Sequence, residues 1–182
     1  TVTGATDQGY VIAYPCGEPR PTASNVNYQA GQTIPNAVIA RIGAGGKVCL
    51  HSLSTTHLIV DVNGYYQPGS GYTPGNPGRI METRPDQPLT VDGLYHGAGL
   101  LPAGTTTELQ VAGRAGAPID ATVAVLNVTV TGPIGPGYVT VFPCGPLPGV
   151  STVNVAAGQI AASSTVAMLD GGGQLCVYSM MA

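Results

Sequence analysis

TVTGATDQGYVIAYPCG, residues 1–17, returns as TVTGPIGPGYVTVFPCG at residues 129–145. The match resumes at VNYQAGQ (26–32) against VNVAAGQ (153–159), and at GAGGKVCLHS (43–52) against DGGGQLCVYS (170–179). The offset is about 128 residues and slips by one before Val26. A period of that size is too long for a solenoid turn and suits one whole domain per repeat. The 182 residues are therefore expected to hold one and a half copies of a module, starting and stopping in mid-module. That organisation points to a tandem array or a chain-to-chain assembly more than to an enzyme.

Each repeated stretch reads as strand. Short β-branched, alternating segments are separated by Gly, Pro and Asn turns, and no segment sustains a 3.6-residue apolar period with caps. Strands are expected at 10–14, 24–28, 37–42, 47–52 and 57–62, then at 106–112, 121–131, 138–142, 151–155, 164–169 and 174–179. Their spacing predicts an all-β chain of disulfide-stapled β-sandwich modules, immunoglobulin-like or related, with almost no helix. The Gly runs at 43–46 and 171–173 fall before the cysteine strand in both copies. They read as turns, not phosphate loops, since no Lys-Ser/Thr on a helix follows.

QPGSGYTPGNPG (67–78) is too dense in Pro and Gly for a strand interior. It divides the chain into 1–67, the second half of a module; 68–78, a linker; and 79–182, a module lacking its last strand. That last strand, in the first copy, is His57, Leu58, Ile59, Val60, Asp61 and Val62. A sheet missing a strand exposes a hydrogen-bonding edge and an apolar groove. Three resolutions are open: a longer tandem array, strand addition from a neighbouring subunit to give a head-to-tail polymer, or an internal pairing of 1–67 with 79–128. The 57–62 segment is the expected polymerisation strand.

Cys16, Cys49, Cys144 and Cys176 fall two to a copy. Of the three pairings four cysteines allow, duplication selects Cys16–Cys49 and Cys144–Cys176. Each bridge would close a loop of about 32 residues, stabilising by roughly 3–4 kcal/mol in the chain-entropy picture, and implies an oxidising compartment. Buried free thiols are the alternative. Zinc fits poorly, because the second copy carries Tyr178 where the first carries His51.

Charged residues are only 8% of the chain, against roughly 25% in ordinary soluble domains. The net charge of −3 offers no footprint for nucleic acid or an anionic membrane. No stretch approaches the roughly 20 apolar residues of a spanning helix. A surface rich in Thr, Ser, Asn and Gly suits a secreted protein packed against neighbours, and low charge weakens the usual defence against association.

The order RIMETRPDQP, LNVTVTG, GYVTVFPCG, VNVAAGQ and GGGQLCVYS, closed in the first copy by THLIVDVNGYY, resembles a tandem β-rich repeat module of large secreted and cell-surface bacterial proteins of actinobacterial type. That module opens with a Leu-Asp-Thr-Arg-like motif and closes with Val-Asp-Val-Asn-Gly-Tyr/Phe. Met81-Glu82-Thr83-Arg84 departs from the opening, and 60–66 fits the close. The resemblance covers nearly the whole chain. It implies an extracellular location and a structural or adhesive role, with no catalytic residues to carry over.

Chemistry is sparse. Ser52 or Ser54 with His57 and Asp61 would make a Ser/His/Asp set, but Ser and Thr are abundant enough for chance. Asp61-Val62-Asn63-Gly64 opens like a calcium loop but lacks its later ligands, and the preferred reading is a strand ending in an Asn-Gly turn. Glu82, Arg84 and Asp86 form a charged cluster, read as an Arg84–carboxylate pair pinning the module's first segment. Asn127-Val128-Thr129 is a glycosylation sequon inside an expected strand. Tyr65, Tyr66 and Tyr72 form a candidate ligand face for cell-surface glycans, with packing at a module junction as the alternative. No catalytic residue, metal or cofactor is expected. The expected function is a structural segment of an extracellular or cell-surface filament whose partner is itself; the alternative is an adhesin or carbohydrate-binding stalk module.

Overall fold

The computed structural model describes residues 1–62, 65–66, 69 and 71–181. Within them the chain is nearly all β, with one short 3-10 turn at Ala44–Gly46. The strands are β1 (Val2–Thr3), β2 (Gly9–Pro15), β3 (Val26–Tyr28), β4 (Val48–Ser52), β5 (His57–Leu58), β6 (Thr105–Gln110), β7 (Val123–Val130), β8 (Gly137–Phe142), β9 (Val153–Val155), β10 (Ala161–Met168) and β11 (Gln174–Ser179). They form four sheets, ordered β6-β11-β8-β9, β10-β7, β3-β2-β4 and β1-β5, and every strand pairing is antiparallel.

The same local pairing occurs in both halves. β2 pairs with β4 through Ala13↔Leu50 and Tyr14↔Cys49. β8 pairs with β11 through Val141↔Val177 and Phe142↔Cys176. In each half a disulfide ties the two strands, Cys16–Cys49 with Cα atoms 5.0 Å apart and Cys144–Cys176 with Cα atoms 4.8 Å apart. The turn before the cysteine strand demands glycine in both. A Cβ at Gly43 would run into the backbone of Cys16, and at Gly173, where φ is +76°, a Cβ would run into Ala112.

The halves differ in what covers these strands. In the second, the four-stranded sheet and the β7·β10 pair share one core, centred on Leu109, Val130, Val139, Val153, Leu175 and Val177. β7 faces this core with Ala124, Leu126 and Val128, the alternate residues of a strand. In the first half the core is smaller: Val2, Ala5, Val11, Val26 and Tyr28, with Ile34 against them.

Two expected strands are shorter or missing. Residues 37–42 form no strand; only Ile34 bridges, to Val2. The equivalent stretch in the second half is β10, which pairs along its whole length with β7. In the first half only β1 stands where β7 would, so there is no strand to pair with and the segment stays irregular. For the same reason the 57–62 strand is reduced to His57–Leu58, with its pairing continuing as far as Ile59 N–H to the Thr1 carbonyl at 2.9 Å. The internal pairing of 1–67 with 79–128 is not adopted. β6 pairs with β11 and β7 with β10, so both strands of the 79–128 segment build with the C-terminal residues. The expected Asn63-Gly64 turn, and the Gln67-Pro68 start of the linker, lie outside the described residues.

Residues 79–104 carry no strand and are held by ions. Glu82, 7% exposed, accepts from Arg84 Nε at 2.9 Å, from Arg84 Nη2 at 2.8 Å and from Arg79 Nη1 at 2.7 Å. Asp86 takes no part and is exposed. A second cluster was not legible in the sequence. Arg114, buried, gives Nε to Asp92 at 2.6 Å and Nη2 to Asp92 at 2.8 Å, and sits 4.8 Å from the centre of the Tyr95 ring. Its hydrogen bond holds the Asp92 carboxyl well below the usual range.

Burial pushes the Glu82 carboxyl up, but the hydrogen bonds and charge of Arg84, with the charge of Arg79, outweigh it and hold the group below its ordinary value. A depressed carboxylate stabilises the fold fully above its unfolded value of about 4.3 and loses that contribution as pH falls through the folded value. Glu82→Gln is therefore expected to cost about 3 kcal/mol at neutral pH, the low end for a broken buried pair because Arg84 can turn to solvent. It should also flatten the loss of stability below about pH 4. Urea unfolding across pH checks both; an unchanged acid limb would remove Glu82 from this role.

Candidate functional site

The repeat supplies its own control: the same strand is present with and without its cover. Leu175 of β11 is fully buried at 0% exposure, and its equivalent on β4, Val48, is 41% exposed. Val177 is 8% exposed and its equivalent Leu50 is 43%. Leu169 is 8% exposed and its equivalent Ile42 is 62%. In the second half β6 pairs along the outer edge of β11; among the described residues β4 has no partner on that edge. An apolar face with an open edge is thus left along β4 and the irregular 37–42 stretch.

Exposed apolar side chains continue onto the strand that leaves β4. Leu58, Ile59, Val60 and Val62 are all exposed, Val62 the most at 86%. These residues and the exposed Asp61 are the expected polymerisation strand, and beyond Ile59 they have no strand partner among the described residues. Isolated exposed apolar residues are ordinary; a contiguous run on a strand end and an open sheet is a site for association.

The two halves meet through polar side chains. Asn127 on β7 donates Nδ2 to the Ser24 carbonyl at 2.7 Å and accepts from Asn36 Nδ2 at 2.9 Å. Asn36 also accepts from the Ser164 backbone N–H at 3.2 Å. Arg79 reaches the Thr22 carbonyl at 3.0 Å. The sequon asparagine therefore has its amide engaged in a half-buried contact. Between the halves runs an open groove of about 1730 Å³, bordered by β7 on one side and by residues of β2 and β3 on another.

The structure brings Tyr66 and Tyr72 together, ring centres 4.7 Å apart. Burial, then the neighbouring Tyr66, pushes the Tyr72 hydroxyl up. Tyr65 is 77% exposed. The Ser/His/Asp combination is not assembled. Ser52 and Ser54 share the Tyr28 hydroxyl at 2.8 and 3.0 Å, and neither bonds His57 among the described residues. That Tyr28–Ser52–Ser54 knot ties β3 to β4 and went unread in the sequence, where Tyr28 is one tyrosine among nine. His51 lies beside Arg20 at 3.0 Å, and His96 Nε2 beside the Gln87 carbonyl at 2.9 Å. Among the described residues no group of His, Cys, Asp or Glu is placed to hold a metal ion, and no helix is long and apolar enough to cross a membrane.

Truncating equivalent positions should separate covered from uncovered. Leu175→Ala is expected to destabilise the C-terminal sheet by about 2–5 kcal/mol, and Leu50→Ala, starting half exposed, to cost less than about 1 kcal/mol in the dilute chain. Amide exchange resolved by sheet measures each. Equal costs would mean that Leu50 is covered in solution.

Comparison with known proteins finds no matching family model, no matching curated protein and no matching solved structure.

Proposed function

We propose that this chain is a structural segment of an extracellular or cell-surface filament, built from β-sandwich modules joined head to tail by strand complementation. In this reading the β6-β11-β8-β9 sheet and the β7·β10 pair are the two layers of one module, and residues 1–67 are the second half of another. The observation that carries it is the unequal exposure of equivalent residues, 0% for Leu175 against 41% for Val48. The same sequence pattern has its apolar face buried beside β6, β7 and β10 in one half and open among the described residues of the other. Such a face is stable in water only when something covers it. The chemistry of the chain agrees: two strand-tying disulfides suit an oxidising compartment, and 8% charged residues offer little repulsion between neighbours. The mechanism is mechanical, with disulfides resisting local unravelling and neighbours completing each other's sheets.

Electron microscopy of native material with intact-mass analysis tests it. Filaments whose chains match these 182 residues are expected for separate subunits, and filaments of much heavier chains for a tandem array. Compact monomers at every concentration would remove the filament reading.

A second reading, an adhesin or glycan-binding stalk module, is favoured by exposed Tyr65 and Tyr66, the latter paired with Tyr72, since an exposed aromatic ring can seat a sugar face. It expects glycan-array binding that falls at least tenfold in Tyr66→Ala. Wild-type binding to no glycan would end it.

A further inference from the structure

We propose that the free edge of β7 is the acceptor for the 57–62 strand of a second copy of this chain, in the register that sets Leu58 opposite Val130 and Val62 opposite Leu126. The proposal rests on the filament reading and names the two surfaces that meet.

It extends a pairing the chain already makes. β1 repeats the end of β7, Val2 standing where Val130 stands. Val2 exchanges backbone hydrogen bonds with Ile34, both 2.9 Å, while the Thr1 amine and carbonyl bond the Ile59 carbonyl and N–H at 2.8 and 2.9 Å. So Val2 faces one neighbour and Thr1 faces β5. In β7, Val130 pairs with Ala161, the equivalent of Ile34. Backbone groups alternate between the two edges of a strand, which turns those of Thr129, Asn127 and Val125 to the opposite edge. Among the described residues that edge pairs with no strand and makes no backbone hydrogen bond. It is the edge that β5 occupies on β1.

Carrying the β1·β5 register, Val2↔Leu58, across the repeat gives the full match. Leu58, Val60 and Val62 fall opposite Val130, Val128 and Leu126, the β7 residues that face the core. His57, Ile59 and Asp61 fall opposite Thr131, Thr129 and Asn127, on the face whose Asn127 and Thr129 side chains meet the first half. Residues directly opposite share a face, so this register buries three exposed apolar side chains, and a slip of one residue would turn all three outward. The groove beside β7, about 1730 Å³, exceeds the ~300–1,000 Å³ of a small-molecule site and suits a chain segment.

The strand cannot serve β1 and β7 at once, because His57 and Ile59 would present the same backbone edge to both. The contact is therefore an exchange, in which a two-residue pairing with β1 gives way to a longer one with β7. Within one chain, β7 lies against the β3 side of the first half through Ser24 and Asn36. The strand leaves from β4, at the opposite edge of that sheet. A second copy meets no such constraint, and the contact is head to tail, so it propagates.

Two full-length variants test the assignment. Thr129→Pro removes the N–H at the acceptor edge, where proline is tolerated because that N–H faces away from β10. Asp61→Pro blocks the donor at an exposed, unpaired residue. Assembled wild-type chain is expected to exchange the Asn127 and Thr129 amides at least tenfold more slowly than dilute chain, and the Thr3 amide faster. Each variant alone should stay monomeric by light scattering, and the mixture should stop at one-to-one heterodimers. If Thr129→Pro fails to fold, Asp61→Pro and the wild-type exchange pattern still decide. Filaments from either folded variant, or free exchange at Asn127 and Thr129 within wild-type filaments, would overturn the acceptor and leave the filament reading standing. Slow exchange at those amides in a monomer would mean that the chain's own strand fills the edge, overturning the second copy. Failure of the wild type to assemble at any concentration would overturn both.

Discussion

The antiparallel pairing of a Tyr-Val strand with a cysteine strand, closed by a disulfide, is the contact on which both halves of this chain are built. β2·β4 and β8·β11 share register, bridge position and a glycine turn. The bridge joins the end of one strand to its neighbour, so it opposes fraying where a short sheet is weakest. It says nothing about the sheet's apolar face. A two- or three-stranded antiparallel unit has marginal stability until that face is covered, and the rest of the structure is an answer to that requirement.

In the second half the cover is long and partly irregular. β6 pairs along the outer edge of β11, residues of β7 and β10 share the core with that sheet, and 79–104 carries no strand. An irregular segment cannot hold itself by ladder hydrogen bonds, so its position depends on side chains. Ion pairs hold it: Glu82 lies between Arg79 and Arg84, and Asp92 pairs with Arg114. With charged residues at only 8% of the chain, neighbouring surfaces repel one another little.

The first half has the sheet without that cover. Its β10-equivalent has lost its ladder partner and is irregular, and its closing strand pairs over two residues and then runs on exposed. Among the described residues both segments face the two-residue β1, where β10 has the eight-residue β7 beside it. A strand is defined by its neighbour as much as by its own residues. This is why 37–42 and 59–62, which alternate well enough in sequence, do not form strands in the folded chain.

The sequence by itself determined the β class, the position of most strands and, through duplication, which cysteines belong together, because these depend on side-chain alternation and local spacing. It marked Arg84 as paired with a nearby carboxylate because charges are rare, and the fold selected Glu82 over Asp86. It did not mark Asp92–Arg114, whose partners are 22 residues apart and meet only across a fold, nor the Tyr28 hydroxyl shared by two serines. Tertiary structure alone decided which copy of the repeat is covered. Val48 and Leu175 occupy equivalent positions in nearly the same motif, and nothing local distinguishes them. Their burial differs because β-sheet stability is set by non-local contacts, and only one of the two has a β6 beside it and a β7 across from it.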